Sequence, residues 1–97
     1  MTKLNKKIAT KVIKKENSIE VIYHYTTVFF YDKIKNLVIL NSNGWNTSTT
    51  KSRINQAISE FIENANISLF QKNYNWYVKM PAGNIVEFFD GMLIELK

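Results

Sequence analysis

Apolar side chains recur at every second position between residues 19 and 31. Ile19, Val21, Tyr23, Tyr25, Phe29 and Tyr31 fall on one face, and Ile22, His24, Thr26, Val28 and Phe30 on the other. Period two is the signature of a β-strand. The first part alternates apolar with polar, whereas after Thr27 both faces are apolar. This pattern predicts one long strand that bends or bulges near Tyr25-Thr26-Thr27. Ile8, Val12 and Ile13 predict a preceding strand near residues 8–14, joined to it through the polar turn Lys15-Glu16-Asn17-Ser18. Asp32 to Asn36 supplies a loop and Leu37–Asn41 a returning strand, which completes an antiparallel meander.

The period then changes. Asn41-Ser42-Asn43-Gly44 reads as a turn, and Trp45 to Thr50 leads into Ile54, Ala57, Ile58, Phe61, Ile62 and Ala65. Their spacing of i, i+3, i+4, i+7, i+8 and i+11 is that of an amphipathic helix, placed at about 49–64. Beyond it, Ile67–Gln71 and Trp76–Met80 flank a turn at Asn73-Tyr74-Asn75. Ile85–Phe89 and Met92–Leu96 flank Asp90-Gly91, a pair that favours a two-residue hairpin turn. The expected fold is therefore α+β, an antiparallel β-sheet with a meander before and hairpins after a single packed helix. The 97 residues suit one small domain, with residues 1–7 read as a flexible basic arm.

Composition narrows the chemistry. The absence of cysteine excludes disulfides, a thiolate nucleophile and any zinc site that needs sulfur. One histidine, His24, excludes a multi-histidine metal site. No apolar run reaches the length of a membrane span, and Lys11 interrupts the only apolar stretch near the N-terminus, so no signal sequence is read. The expected setting is the cytoplasm of a host bacterial cell, without membrane contact, and as a monomer or a homodimer.

The net charge of +5 is concentrated at one end. Residues 1–15 hold six lysines, among them Lys11 and Lys14, and no acid; the rest of the chain is near neutral. Two readings fit. The lysines form a phosphate-contacting arm, or they protect a sheet edge from pairing with other chains. Lysine outnumbers arginine twelve to one, which makes it partly a default residue here and weakens the first reading.

The catalytic inventory is thin. Glu60 and Glu63 share the polar side of the helix, and Glu20 and His24 are separated by four strand positions, so no acid–base pair converges. With three glycines there is no phosphate-cradling loop. The chain is expected to be no enzyme and to use no cofactor or metal.

Candidate contact residues gather instead at the helix start, where Trp45, Thr47, Thr49, Thr50, Lys51 and Arg53 crowd together. Helix starts favour acids because their N–H groups carry partial positive charge, so cations and hydroxyls there fit either an anion site or a threonine cap with solvated cations. Trp45 also suits a partly buried anchor. Tyr74 and Trp76 supply a second candidate surface, set against the simpler reading that aromatics fill a small core.

Three stretches carry a likeness. Tyr23-His24-Tyr25-Thr26-Thr27-Val28, then Gly44-Trp45-Asn46-Thr47-Ser48-Thr49-Thr50, then Arg53-Ile54-Asn55 resemble a family of small phage and prophage accessory proteins. Trp76-Tyr77-Val78 and Phe89-Asp90-Gly91-Met92 extend the match, while Asn43 stands where many members have a second glycine. The resemblance implies a phage-encoded protein with no catalytic residues to carry over. By analogy with other compact phage proteins, it implies a non-catalytic inhibitor that binds a host defence nucleoprotein complex of the CRISPR type. The alternative is a stand-alone DNA- or RNA-binding protein that uses the basic arm and the helix start.

Overall fold

The computed structural model describes residues 10–42, 44, 47–62 and 66–96. The basic arm at residues 1–7 and the first positions of the expected 8–14 strand lie outside the described residues. Eight strands and one helix follow in the order β1 Thr10–Lys14, β2 Ser18–Tyr23, β3 Thr26–Asp32, β4 Leu37–Leu40, α1 Ser48–Phe61, β5 Ser68–Lys72, β6 Asn75–Lys79, β7 Ile85–Glu87 and β8 Met92–Glu95. The fold is α+β, as its periodicities predict, but the strands form two antiparallel sheets. One has the order β1-β2-β3-β4-β8 and the other β5-β6-β7.

Two expectations are corrected. The apolar run 19–31 is not one bent strand. Tyr23 pairs with Thr26, so His24 and Tyr25 form a two-residue hairpin turn, with φ of 50° and 69°. Both angles are left-handed, which defines the turn whose twist matches that of the flanking strands. The bulge lies one step further on, where Val21 pairs with Phe29 and Ile22 with Thr27. Nor does Asp90-Gly91 close a hairpin. β7 pairs with β6 while β8 pairs with β4, so the chain crosses from one sheet to the other at this point.

The helix is held by sequence at both ends. Thr47 is the N-cap and accepts a hydrogen bond from the Thr50 N–H at 3.2 Å. The end comes at Ile62, slightly before the expected position, where its N–H still reaches the Ile58 carbonyl. Thr50, Ile54, Ala57 and Ile58 form the buried stripe. It meets the sheet rows Val12–Val21–Phe29–Leu40–Met92 and Lys14–Ile19–Tyr31–Val38–Ile94, each running across five strands. Leu69, Trp76 and Val78 from the small sheet join the same apolar cluster.

Asn55 couples the helix to the second sheet. Its amide nitrogen donates to the Leu69 carbonyl at 2.7 Å, and its oxygen accepts from the Leu69 N–H at 2.8 Å. The side chain thus acts as a strand partner for the free edge of β5, satisfying backbone groups that a buried edge would otherwise orphan. Asn36 extends the β4–β8 ladder by one step: its side-chain amide donates to the Leu96 carbonyl at 2.6 Å, and its backbone carbonyl accepts from the Leu96 N–H at 2.9 Å.

Candidate functional site

The β2–β3 turn stands beside the helix start. Tyr23, His24 and Tyr25 on one side and Thr47, Thr49 and Thr50 on the other line an open hollow of about 470 Å³. A second hollow of about 220 Å³ lies across the turn, bounded by Lys11, Ile22, His24 and Tyr25. The turn is therefore a wall between two concavities. Tyr25 is fully exposed at its tip. A tyrosine at φ 69° costs about 1 kcal/mol relative to glycine, because its Cβ crowds the following carbonyl oxygen. Among the described residues no carboxylate lines either hollow.

The candidate residues divide into those that present themselves and those that hold the site together. Thr47 and Thr49 are exposed beside the turn. Thr50 is 0% exposed; its hydroxyl shares a 3.0 Å hydrogen bond with that of Thr47, so it belongs to the cap. Lys51 is part-buried in the first helical turn. Arg53 turns inward, where its Nε donates to the Thr10 hydroxyl at 3.1 Å and its guanidinium lies 5.8 Å from the Tyr23 ring centre. That cation–π contact and hydrogen bond anchor β1 and β2 to the helix.

Lys14 likewise sits over the Phe61 ring at 5.5 Å. Lys11, three positions earlier on the same strand, faces the opposite side of the sheet, since side chains alternate along a strand. The lysines of β1 thus form no single patch. Trp45 lies outside the described residues.

Tyr74 is exposed at a second hairpin tip, where Asn73 and Tyr74 repeat the left-handed geometry with φ of 53° and 69°. Trp76 is corrected: at 5% exposure it packs against Phe88 with ring centres 5.4 Å apart, and it serves the core rather than a surface patch.

Asp90 was not among the candidates, yet it shapes the approach to the site. Its carboxylate accepts from the Ser42 N–H at 2.8 Å, the Ser42 hydroxyl at 2.7 Å and the Gly44 N–H at 3.1 Å. Partial burial works to raise its pKa, but the bonds from the Ser42 side chain, the Ser42 backbone and the Gly44 backbone outweigh it and hold the carboxyl below the usual aspartate value. The loop that leads to the helix is fastened by this residue. The signal was in the sequence as Asp90-Gly91, but its local meaning, a tight turn, masked a partner 48 positions away.

Among the described residues no group of three or more His, Cys, Asp or Glu side chains converges as a metal site would require. No helix among them is long and apolar enough to cross a membrane. The family model described as Kyanoviridae Gp96 protein matches residues 2–95. The chain belongs to that family. It is a phage protein, and the family description names no activity, substrate or partner. No curated protein and no solved structure matches this Gp96 family member.

Proposed function

We propose that this phage protein acts by binding rather than by catalysis, and that its partner is a host defence nucleoprotein complex of the CRISPR type, which it inhibits by occupying a surface. The observation that carries the reading is Tyr25. It is a large aromatic side chain, free of core contacts, held at a hairpin tip on left-handed backbone that glycine or asparagine would adopt at lower cost. Local strain kept at an exposed aromatic suits a contact residue, since tyrosine is enriched among the few side chains that dominate protein interfaces. The hollows on either side give a partner's side chains somewhere to seat, and the exposed Thr47 and Thr49 offer hydrogen bonds at the rim.

A protein surface suits this face better than bare nucleic acid does. Arg53 and Lys14 are engaged with Thr10, Tyr23 and Phe61, which leaves Lys11 as the one lysine of β1 that borders a hollow beside Tyr25.

The test is the plating of a defence-targeted phage on hosts that express the chain or its Tyr25→Ala variant. The wild type should raise plating by orders of magnitude, and the variant should not, while keeping its circular dichroism spectrum. Unchanged plating across hosts with different defence systems would sink the proposal. Salt-sensitive binding of purified chain to DNA or RNA alone, unaffected by Tyr25→Ala, would replace it with a nucleic-acid-binding role.

A further inference from the structure

We propose that Asp90-Gly91 is a site of spontaneous backbone isomerisation, and that opening of the β7–β8 crossover sets its rate. The pair is the only Asp-Gly in the chain. A glycine nitrogen attacks a preceding aspartate side chain more readily than any other, because no Cβ stands in the way. The bond from the Gly91 nitrogen to the Asp90 Cγ forms, the Cγ–OH bond breaks, and the hydroxyl leaves as water with the amide proton. The product is a cyclic imide, and water then adds to one of its two carbonyls. Addition at Cγ restores aspartate. Addition at the α-carbonyl leaves the chain running through Cβ, as isoaspartate. Atoms and charge balance, and water is the only reagent.

Both residues are exposed, so burial does not protect them. Hydrogen bonds hold both reacting groups instead. Gly91, which carries the nucleophile, donates its N–H to the Leu40 carbonyl at 2.8 Å. The Asp90 carboxylate, the electrophile, accepts from the Ser42 N–H, the Ser42 hydroxyl and the Gly44 N–H. The pair is also the centre of a β-turn closed by the Met92 N–H on the Phe89 carbonyl at 3.2 Å, and Gly91 takes the φ of 82° that the third position of a type II turn requires. Ring closure turns the Gly91 nitrogen onto the side chain of Asp90 and so breaks the bond to Leu40. Partial burial opposes ionisation of Asp90, but its bonds outweigh that effect and keep scarce the protonated acid from which the ring closes.

The gate is local. Phe88 still donates its N–H to Trp76 in the small sheet, and Met92 begins β8 in the large one, so the crossing is made by residues 89–91 alone. Phe89 is 61% exposed, so little apolar contact holds this segment down, and it can open while both sheets stay folded. Isoaspartate adds one backbone atom to the crossing and moves the carboxylate off Ser42 and Gly44. The loop before the helix then loses its fastening. None of this uses the Tyr25 hollows or a partner.

The test is to age the full chain in mildly acidic buffer, with and without urea, and to measure isoaspartate at position 90 by peptide mapping. Isomerisation leaves the mass unchanged, whereas deamidation of an asparagine raises it, so the two are separable. The unfolded chain should isomerise at least ~10-fold faster than the folded one, and the ratio of the two rates should equal the opening constant given by amide exchange at Gly91. Ser42→Ala removes the hydroxyl bond to the carboxylate and should raise the folded rate ~5-fold while leaving the rate in urea unchanged. Asp90→Ala should abolish the signal.

Equal rates in buffer and in urea would show that the fold does not guard the pair. A folded rate indifferent to Ser42→Ala, or one that departs from the Gly91 opening constant, removes the crossover as the gate. Absence of isoaspartate at position 90 in both conditions removes the site itself. Each of these outcomes overturns the proposal. Tyr25→Ala should leave the rate unchanged, which separates this test from that of the defence reading.

Discussion

The two faces of the five-stranded sheet carry comparably apolar side chains and meet different surroundings. On the inner face the Phe29 row lies under the helix and beside the small sheet, and Phe29 itself is fully buried against Phe61. On the outer face the apolar residues of the Phe30 row stand outside the core cluster, and among the described residues only Leu93 of that row is an exposed large hydrophobic. Since Phe29 and Phe30 are the same residue type side by side on β3, the difference is one of surroundings.

The sharpest way to break that comparison is to truncate the adjacent phenylalanines. Phe29→Ala should cost about 3–5 kcal/mol, the usual penalty for removing a fully buried ring. Phe30→Ala should cost less, about 1–2 kcal/mol, because its ring is only part-buried. Urea titrations of the two variants measure both effects. Equal losses of stability would mean that something in the chain covers the outer face.

The next largest effect concerns what holds the inner cover down. Asn55→Ala removes both bonds to Leu69 and leaves a buried strand edge without partners, which should cost about 2–3 kcal/mol. Amide exchange should rise in β5 through β7 before it rises in β1 through β4. Uniform exchange across both sheets would show that apolar packing, rather than the amide, couples the second sheet to the helix.

Asp90 fastens the loop that carries the chain from the five-stranded sheet to its cover. Asp90→Ala removes three bonds to a carboxylate that is itself largely exposed, so screening reduces the expected loss to about 1 kcal/mol. The pH dependence has a fixed sign. The folded-state pKa lies below the unfolded one, so the carboxylate's contribution is complete above about pH 4 and is lost as pH falls through the folded value. The urea midpoint of the wild type should therefore fall between pH 5 and pH 3 more steeply than that of Asp90→Ala. Parallel acid limbs would remove Asp90 from the account.

These residues also mark where the sequence could be read and where it could not. The helix was legible because Ile54, Ala57 and Ile58 repeat at helical spacing and Thr47 caps them, and both are local facts. The strands were legible for the same reason. The division into two sheets was not, because it depends on Asn55 finding Leu69 and on Asp90 finding Ser42, and a polar side chain does not announce a distant partner. Local chemistry pointed the wrong way at Asp90-Gly91. It was silent at His24-Tyr25, where the turn contains neither glycine nor asparagine. Among the candidate site residues, the separation of Lys11 from Lys14 follows from alternation once β1 is known to be a strand, whereas the inward turn of Arg53 needed Thr10 and Tyr23 in place.

The smallest expected effect is the most informative about function. His24-Tyr25 and Asn73-Tyr74 are the same turn in two sheets, each with a fully exposed tyrosine at φ 69°. Glycine adopts that angle freely, so Tyr25→Gly and Tyr74→Gly should each gain about 0.5–1 kcal/mol of stability, measured by thermal melting. Asn73-Gly would then be the commonest pair for this turn. If Tyr74→Gly stabilises the chain and leaves phage plating intact, its strain serves no contact with the defence target. If Tyr25→Gly stabilises the chain to the same extent and abolishes the plating effect, the strain at that tip is retained for binding. Two variants alike in backbone physics would then differ in what surrounds the tyrosine, and Tyr25 has a hollow on each side.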